Sequence, residues 1–519
     1  MREIELKFEI DDPTLKRLRA QIRASKLSTG ASRTRTLRST YFDTPEHALR
    51  AAGFSLRLRR DGRRWIQTVK TTAAPNGGLT DVGEVENPAP GGRLCLEAIP
   101  DETIRDTILH AVNGSALQPV CETVIRRQAK EVTLEDGTRA ELAIDVGEIH
   151  AGERTEPLRE AEIELIEGDR RGLFDIAHLL FPDGGLRFSR LSKSARGFLL
   201  AERGWIDPPL APRNAQTVPL DPNETAELAA RDILRECFDQ VATNMVVMQR
   251  LDDPEGPHQL RVGLRRLRSA FSVFAPVLKS PEMSRLEDEA RWLGHVVGGL
   301  RDLDVVTNDI IRREAETHPD QPGLAALDAP LRQHADAVRK EVAETLTGAR
   351  AQAFVLDLTR FVETRGWILP ADFDQSRRLA TPIARLAETA LAGHWKKAGK
   401  CARRIEKLTV EQRHDLRKEL KKLRYAVDFL SPLYSRKAVD PFRKRLRKIQ
   451  NVLGALNDSV IVAATLESTD LDAIDDRQVQ RAIGWVIGAS QARAEGCWEE
   501  AKARWRDLEE SPQFWKKAG

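Results

Sequence analysis

Residues 1–10, MREIELKFEI, alternate charged and apolar side chains with a period of two. This period is typical of a β-strand with one buried face, because successive side chains of a strand point to opposite sides of the sheet. Glu3, Glu5 and Lys7 share one face, on which residues two apart are separated by roughly 6.6 Å. Two carboxylates at that spacing suit a divalent cation, and the lysine beside them suits an anion. The apolar residues are predicted to face a core: Ile4, Leu6, Phe8 and Ile10.

The composition favours a globular protein of several domains, because a chain of 519 residues is too long for one hydrophobic core. The chain has 82 Lys and Arg against 79 Asp and Glu, so a basic site has to come from local clustering. No apolar run approaches the roughly 18 residues that a membrane span needs, and the charged start predicts no signal peptide. We therefore expect no membrane partner.

The five cysteines are scattered, without a CxxC pair or a histidine at zinc spacing. This distribution argues against a disulfide framework and against structural zinc. The expected location is the reducing cytoplasm.

A proline-rich stretch divides the chain. Residues 205–223, WIDPPLAPRNAQTVPLDPN, contain five prolines, which cannot donate the hydrogen bonds of a helix or a sheet. Before this stretch, short alternating segments separated by glycine turns predict a mostly antiparallel β-domain. After it, the periodicity of the apolar residues becomes helical. The predicted organisation is a β-domain at residues 1–204, a linker at 205–222 and an all-helical domain at 223–508.

The helical part contains an internal repeat. His258 and His414 lie 414 − 258 = 156 residues apart, and the residues that follow them match at the same offset. A unit of this size holds about four helices, and the predicted halves are 223–378 and 379–508. The matches include Leu260/Leu416, Arg261/Arg417, Leu264/Leu420, Arg265/Lys421, Leu267/Leu423 and Arg268/Arg424.

Charges of the same sign recur two residues apart on the predicted strands, as in Arg57 with Arg59 and Glu162 with Glu164. Neighbouring like charges destabilise a sheet unless a ligand of opposite charge is present. Carboxylate pairs suit hard divalent cations, and pairs of basic residues suit phosphoryl oxygens. If the sheet closes, the sequence predicts a charged interior that binds a metal ion and a polyanion.

Six motifs, in the expected order between Met1 and Arg203, resemble the CYTH domain of the triphosphate tunnel metalloenzyme superfamily. They are the ExExK start, Tyr41–Thr44, Leu56–Arg59, Gln67–Lys70, Glu160–Leu165 and Ser192–Gly197. The resemblance implies an eight-stranded antiparallel barrel. Its tunnel would bind a triphosphate through basic residues and one or two Mg²⁺ or Mn²⁺ ions through acidic residues.

The resemblance also implies roles for single residues. The expected metal ligands or water-orienting acids are Glu3, Glu5, Asp145, Glu162 and Glu164, and the expected phosphate ligands are Lys7, Arg57, Arg59, Lys70 and Lys193. We expect Glu162, Asp145 and Lys7 to act in catalysis. One more phosphate-binding arginine should follow Thr123: strand parity favours Arg127, and a bulge would select Arg126. Val82 departs from the family, which often has an arginine there.

The repeated helices each carry a basic stripe: His258, Arg261, Arg265 and Arg268 in the first, and His414, Arg417, Lys421 and Arg424 in the second. With the motifs around Asp302 and Asp458, they resemble the CHAD domain. That resemblance implies two pseudo-symmetric four-helix bundles that bind inorganic polyphosphate. Without interleaved aromatic residues to stack on bases, the stripes predict no nucleic-acid binding. The surrounding cations should keep both histidines neutral.

The expected function is metal-dependent hydrolysis of inorganic triphosphate in the tunnel, with polyphosphate binding by the helical domain. Two alternatives remain at this point. One is an enzyme that acts on a nucleoside or thiamine triphosphate, by hydrolysis or by adenylyl cyclase chemistry. The other is a polyphosphate-binding protein with a weak or inactive barrel, located on polyphosphate granules, and Val82 favours this second alternative.

The roles of Asp302 and Asp458 also remain open. Each could form an ion pair with a basic side chain or cap the N-terminus of a helix.

Overall fold

The computed structural model describes residues 2–24, 28–72, 75–468 and 477–516. Over these residues the chain forms nine β-strands. In chain order they are β1 (Arg2–Glu9), β2 (Ser28–Thr29), β3 (Arg33–Asp43), β4 (Phe54–Asp61), β5 (Arg64–Thr71), β6 (Leu79–Pro88), β7 (Gln118–Thr133), β8 (Arg139–Ala151) and β9 (Arg154–Glu167).

The α-helices of the described residues are numbered in the same way. They are α1 (Asp12–Ala24), α2 (Ala48–Ala51), α3 (Glu102–Val112), α4 (Arg171–Leu180), α5 (Lys193–Arg203), α6 (Ala226–Arg250), α7 (Glu255–Val273), α8 (Ala275–Leu278), α9 (Pro281–Asp304), α10 (Arg312–Thr317), α11 (Pro322–Ala326), α12 (Asp328–Thr347), α13 (Ala349–Glu363), α14 (Phe373–Leu379), α15 (Ile383–Ala402), α16 (Val410–Leu430), α17 (Arg436–Ser468) and α18 (Arg477–Glu509).

Eight of the strands form a closed antiparallel barrel. The order around the barrel is β3-β4-β5-β6-β1-β9-β8-β7, and β7 returns to pair with β3, while the short β2 adds to β7. Gly147 allows β8 to approach β7 closely, since a Cβ atom at this position would lie 2.0 Å from the carbonyl oxygen of Val124. The predicted fold class, a barrel followed by an all-helical part, is confirmed.

The apolar core of the barrel region lies outside the wall of strands rather than inside it. Leu6 and Phe8 of β1 are fully buried, and they pack in one cluster with Phe174 of α4 and Leu18 of α1. The period-two pattern of the first strand therefore sends its apolar side chains to this outer core. The charged side chains of the same strand point into the barrel, which leaves the interior polar.

The chain divides into two compact units, Met1–Ala211 with Thr347–Thr364, and Pro212–Leu346 with Arg365–Gly519. The first unit therefore includes helix α13, which the sequence placed in the helical domain. Leu356 of α13 is fully buried in the same apolar cluster as Phe174. Asp357 of α13 also accepts a hydrogen bond from Nε2 of His178, at 2.8 Å. The burial of Leu356 and the contact of Asp357 explain why α13 belongs to the first unit. The predicted domain limits stay a prediction.

The residues predicted as a linker have no regular secondary structure from 205 to 221, but part of the segment is anchored. The guanidinium of Arg213 binds the carboxylate of Glu236 on α6, at 2.6 and 3.0 Å. The backbone N–H of Gln216 donates to the same carboxylate, at 2.6 Å. Part of this proline-rich segment is therefore bound to α6.

Helix α13 is expected to stabilise the barrel, and Leu356→Ala tests this. Removal of a fully buried leucine side chain should lower the free energy of unfolding of the barrel by about 2–5 kcal/mol. Leu179→Ala on α4 is the control, because this leucine is 45% exposed and should change that free energy by less than about 0.5 kcal/mol. Chemical denaturation of the full chain measures both. Equal effects of the two substitutions would contradict the docking of α13.

The helical unit confirms the internal repeat. Its long helices correspond in pairs, α6 with α15, α7 with α16, α9 with α17 and α12 with α18. For example, 255 + 156 = 411 and 273 + 156 = 429, so the counterpart of α7 lies within α16. The two copies also make reciprocal hydrogen bonds: Ala226 N–H donates to Thr381 O, and Ile383 N–H donates to Glu224 O. These two bonds form an antiparallel bridge between Thr225 and Pro382, which lie at the starts of the corresponding helices α6 and α15.

By length and composition, one helix among the described residues is apolar enough to cross a membrane. It spans Arg436–Glu467, with a mean hydropathy of 1.2 over 18 residues, of which 33% are buried. A core helix of a globular protein can have the same length and composition, although most of such a helix is buried. The polar pair Asn457 and Asp458 interrupts its apolar run. The absence of a membrane partner stays a prediction.

Candidate active site

The interior of the barrel is a cavity of about 440 Å³ lined by side chains of both charges. Alternate residues of the strands point into it, and the first turn of α5 adds Lys193. The Ser192 side chain caps this helix by accepting a hydrogen bond from the Ala195 backbone N–H, at 3.1 Å. The charged residues of the lining are Glu3, Glu5, Lys7, Arg57, Arg59, Lys70, Glu84, Glu86, Arg127, Glu141, Asp145, Glu162, Glu164 and Lys193.

All but one of the site residues predicted for the barrel line this cavity. The exception is Arg126, which lines a separate groove on the outer surface with Arg19 and Lys130. Arg126 pairs with Val146 and Arg127 pairs with Asp145 without a bulge, so adjacent residues alternate between the two faces. Strand parity therefore predicts the correct orientation of both arginines. Arg126 lies outside the cavity and is excluded as one of its ligands. The roles of the other residues stay predictions.

Three arginines form a cationic wall, which we define as Arg57, Arg59 and Arg127. Burial, and next the positive charges of Arg57 and Arg127, lower the pKa of Arg59 to about 10. The Nε atoms of Arg57 and Arg59 are buried and have no hydrogen-bond partner among the described residues. An arginine whose pKa falls in this way lacks sufficient negative charge around it, and a bound polyanion would supply that charge.

Three carboxylates of the cavity have too little positive charge around them. We name Glu3, Glu5 and Glu164 the acidic cluster. Glu5 lies directly opposite Glu164 in the pairing of β1 with β9. Burial, and next the negative charges of Glu3 and Glu5, raise the pKa of Glu164 from 4.5 to about 7. Lys70 binds Glu3 and Lys7 Nζ lies 2.7 Å from Glu5, but these two lysines do not offset the repulsion on Glu164.

The remaining predicted acids are held in ion pairs with the predicted bases. Lys193 Nζ lies 2.6 Å from Glu162 Oε1 and 3.0 Å from Asp145 Oδ2. Arg127 binds both oxygens of Asp145, at 2.8 and 2.7 Å. Burial alone would raise the pKa of Glu162, but the charges of Lys193, Lys7 and Arg127 outweigh it and hold that pKa well below its usual range. Glu162 is therefore ionised.

The five predicted metal ligands thus fall into two groups. Among the described residues, no three Asp, Glu, His or Cys side chains are placed so that they could hold a metal ion as they stand. The acidic cluster nevertheless fits a hard divalent cation, because its donors are carboxylate oxygens with too little positive charge around them. Asp145 and Glu162 fit less well, since lysine and arginine already neutralise them.

Sequence reasoning missed several charged residues of this region. Glu160 is fully buried between Lys193, at 2.7 Å, and Arg196, at 3.1 Å. Glu84 and Glu86 line the cavity beside Arg57. The signal for these two was available, since they lie two apart on one strand, like the predicted ligands. Val82 is a buried part of the lining and contributes no charge.

In the helical unit, α7 packs directly against α16, and their basic stripes approach each other. We name Arg261, Arg265, Arg417 and Lys421 the basic seam. Burial, and next the charges of Arg265 and Arg417, lower the pKa of Lys421 from 10.5 to about 6. Burial and Arg265 also lower the pKa of Arg417 to about 10. Residues of both repeats therefore share one cluster of unbalanced positive charge.

The outer members of the two stripes flank this seam. Arg268 lies 4.0 Å from Glu287, and Arg424 lies 3.8 Å from Asp428. Burial lowers the pKa of both His258 and His414, and nearby basic residues, Arg301 and Lys418 first among them, lower it further. Both shifts favour the neutral form, and the neutrality of the two histidines stays a prediction.

Asp302 and Asp458 lie inside α9 and α17, so neither is an N-cap. The ion pair holds for Asp302, which accepts a hydrogen bond from Nη1 of Arg261. In the second repeat Arg417 donates instead to Oδ1 of Asn457, at 2.8 Å. The two copies therefore orient their equivalent arginines through different partners.

Comparison with known families identifies both parts of the chain. Residues 1–198 match the model of the CYTH domain, and residues 232–467 match the model of the CHAD domain. The chain therefore combines a CYTH domain with a CHAD domain.

Two known proteins and one solved structure are similar to this chain. An inorganic triphosphatase of Haemophilus influenzae is 30% identical over 175 residues, which are 33% of this chain and 47% of that protein, so the match spans about half the relative's length. An uncharacterized protein of Mycobacterium tuberculosis is 25% identical over 98% of this chain and 96% of its own length. The crystal structure of the CHAD domain from the plant Ricinus communis, 29% identical, has a TM-score of 0.50 and covers 58% of this chain and 99% of that domain.

Proposed function

We propose that the barrel hydrolyses inorganic triphosphate to diphosphate and phosphate. The observation that carries this proposal concerns two residues of one cavity. Arg59 has too little negative charge around it, and Glu164 has too little positive charge around it. Arg59 of the cationic wall is buried beside other arginines, which lowers its pKa, and Glu164 of the acidic cluster is buried beside other carboxylates, which raises its pKa. A polyanion and a divalent cation bound together would correct both. The similarity to an inorganic triphosphatase supports this substrate class.

Acidic and basic side chains have different roles in the proposed mechanism. A divalent cation, Mg²⁺ or Mn²⁺, held by the acidic cluster would polarise a phosphoryl oxygen and offset charge in the transition state. Arg57, Arg59 and Arg127 bind the phosphate oxygens and position the chain of phosphates for in-line displacement. Lys7 remains protonated beside Glu5, at 2.7 Å, and adds positive charge for the departing phosphate. The mechanism needs no covalent nucleophile.

Glu162 and Asp145 are the acids proposed to orient the attacking water. Burial, outweighed by nearby positive charges, leaves the pKa of each lowered, so both accept hydrogen bonds from water rather than donate a proton. Lys193 bridges the two carboxylates and fixes their relative position. Their contribution is therefore orientation, which is how active sites of phosphoryl transfer act in general.

The cavity favours inorganic triphosphate over a nucleotide. Tyr41 is the one aromatic side chain among the described residues that line it, and it is only 4% exposed. A nucleobase would therefore find little accessible aromatic surface for stacking. Nucleoside or thiamine triphosphate hydrolysis and cyclisation are correspondingly disfavoured.

The basic seam is the proposed binding site for inorganic polyphosphate. A phosphate chain carries regularly spaced negative charge, and the seam supplies basic residues from both repeats. Burial, and next the charges of the neighbouring arginines, lower the pKa of Lys421. We extend the proposal to a cytoplasmic protein that associates with polyphosphate granules. A second candidate function, a polyphosphate-binding protein with an inactive barrel, is favoured by Val82, which replaces a basic residue in the lining.

A phosphate-release assay separates these functions. The purified full chain is incubated with triphosphate, ATP, thiamine triphosphate or long-chain polyphosphate, with Mg²⁺, with Mn²⁺ or with a chelator. We expect the fastest release from triphosphate, and loss of release with the chelator. Release from ATP at the same rate would contradict the substrate, and no release from any compound would establish the binding function alone.

A further inference from the structure

A second cavity lies in the helical unit, and its lining shares no residue with the basic seam. It is a groove of about 370 Å³ between the end of α7 with α8 on one side and α15 on the other. Arg378 of α14 joins the two sides by donating from Nε to the carbonyl oxygen of Pro276, at 3.0 Å. Binding sites for small molecules typically have this size. The apolar lining consists of Val273, Pro276, Val277, Leu386, Ala390 and Gly393.

The groove contains a buried polar atom without a partner. His394 is only 7% exposed, and its Nδ1 has no hydrogen-bond partner among the described residues. An unsatisfied buried polar group is costly, and native structures contain few of them. Burial, and next the charge of Lys397, lower the pKa of His394 to about 4, so the ring is neutral. The imidazole therefore adds no positive charge to the groove lining.

The polar side chains at the edge of the groove are basic. Arg378, Arg385 and Lys397 line it, and its described lining includes no Asp or Glu. Arg378 binds Asp372, at 3.1 Å. Arg385 and Lys397 are exposed and form no ion pair with any described residue. The groove thus combines an apolar floor with two positive charges that no described carboxylate compensates.

We propose that this groove binds a small amphiphilic anion, a compound whose apolar or aromatic body carries a carboxylate or a phosphate. The apolar floor accepts the body, and Arg385 and Lys397 meet the charge. Inorganic polyphosphate does not fit, since it has no apolar part to cover Val273, Val277 and Leu386. The proposed site is independent of the barrel chemistry and of the basic seam.

Fluorescence titration of the full chain tests the proposal. The probe is 8-anilinonaphthalene-1-sulfonate, an anionic aromatic dye, and its competitors are decanoate, 1-decanol, and inorganic triphosphate. We expect one dye site per chain, displacement by decanoate at concentrations at least tenfold lower than by 1-decanol, and no displacement by triphosphate. Decyl phosphate in place of decanoate distinguishes a phosphate from a carboxylate ligand.

Two glycines of α15 supply a matched pair of variants. A Cβ atom at Gly393 or at Gly399 meets no neighbour within 4 Å, so a larger residue fits at either position without a clash. Gly393 lines the groove and Gly399 does not. Gly393→Leu should weaken dye binding at least tenfold, and Gly399→Leu should leave it unchanged. Circular dichroism and phosphate release show that each variant remains folded.

The charges at the edge are tested separately with Arg385→Gln combined with Lys397→Gln. This variant should lose the preference for decanoate over 1-decanol while it still binds the alcohol. Dye binding that is equal in Gly393→Leu and Gly399→Leu would overturn the location. Displacement by triphosphate as effective as displacement by decanoate would overturn the ligand class, because a general anion surface would explain it.

Discussion

Glu5→Gln is expected to lower triphosphate turnover by about 100-fold or more, while the barrel stays folded. Glu5 is almost fully buried, lies opposite Glu164, and contacts Lys7 Nζ at 2.7 Å. Glutamine keeps the volume of the side chain and its hydrogen bond with Thr80, but it removes one charge from the proposed metal ligands. The phosphate-release rate is measured at increasing concentrations of Mg²⁺ and Mn²⁺.

The control for this substitution is Glu148→Gln. Glu148 lies on β8 of the same barrel, but it is exposed and is not part of the cavity lining. Its substitution should leave turnover unchanged. If Glu5 is a metal ligand, a higher metal concentration should restore part of the lost activity. Wild-type turnover of Glu5→Gln at saturating metal would show that Glu5 is a structural residue of the strand.

The orientation of the site residues could be predicted because strands impose a period of two. The alternation in β1 identifies Glu3, Glu5 and Lys7 as one face, and the structure places all three in the cavity. The same rule separates Arg127 from Arg126 without knowledge of the partner strand. Where a local rule governs geometry, the sequence is sufficient.

The partners of those residues could not be predicted, because they depend on contacts between strands distant in sequence. Asp145 and Glu162 were both expected to be metal ligands, yet Arg127 and Lys193 neutralise them. Only the closed barrel brings these charges together. The acidic cluster therefore emerges from the pairing of β1 with β9, and the pattern of either strand alone does not contain it.

The position of α13 escaped prediction for a similar reason. Its amphipathic pattern is that of any helix in the second half of the chain, and nothing in it identifies the surface that Leu356 covers. The partner face includes Gly184, where a Cβ atom would lie 2.6 Å from the carbonyl oxygen of Thr347. Such a close approach requires glycine, but glycine in a turn does not reveal what it approaches.

Polyphosphate is expected to bind both repeats at once, so substitutions on either side of the basic seam should have similar effects. Arg265→Ala on α7 and Lys421→Ala on α16 should each weaken long-chain polyphosphate several-fold and reduce the salt dependence of its affinity. Triphosphate turnover in the barrel should remain unchanged. Lys418→Ala is the control, since Lys418 is exposed on α16 and binds Asp415 at 3.4 Å.

Binding should also take up a proton at Lys421. Burial and the charges of Arg265, Arg417, Arg261 and Arg424 lower its pKa to about 6, so its amine is neutral at pH 8 in the free protein. A polyphosphate chain at the seam favours the charged form and raises that pKa, so binding at pH 8 should consume up to one proton. Calorimetry in two buffers with different heats of ionisation measures this uptake.

The variant Lys421→Met should eliminate the uptake of this proton, whereas Lys418→Ala should not. The same shift has a consequence for stability without ligand. Between pH 6 and 10.5 the unfolded chain keeps a proton on Lys421 that the folded chain has lost, so the contribution of this lysine to stability rises with pH over that window. Polyphosphate should weaken that trend, because it raises the pKa of Lys421 in the folded chain towards the value in the unfolded chain. Undiminished proton uptake in Lys421→Met would place the polyphosphate outside the seam.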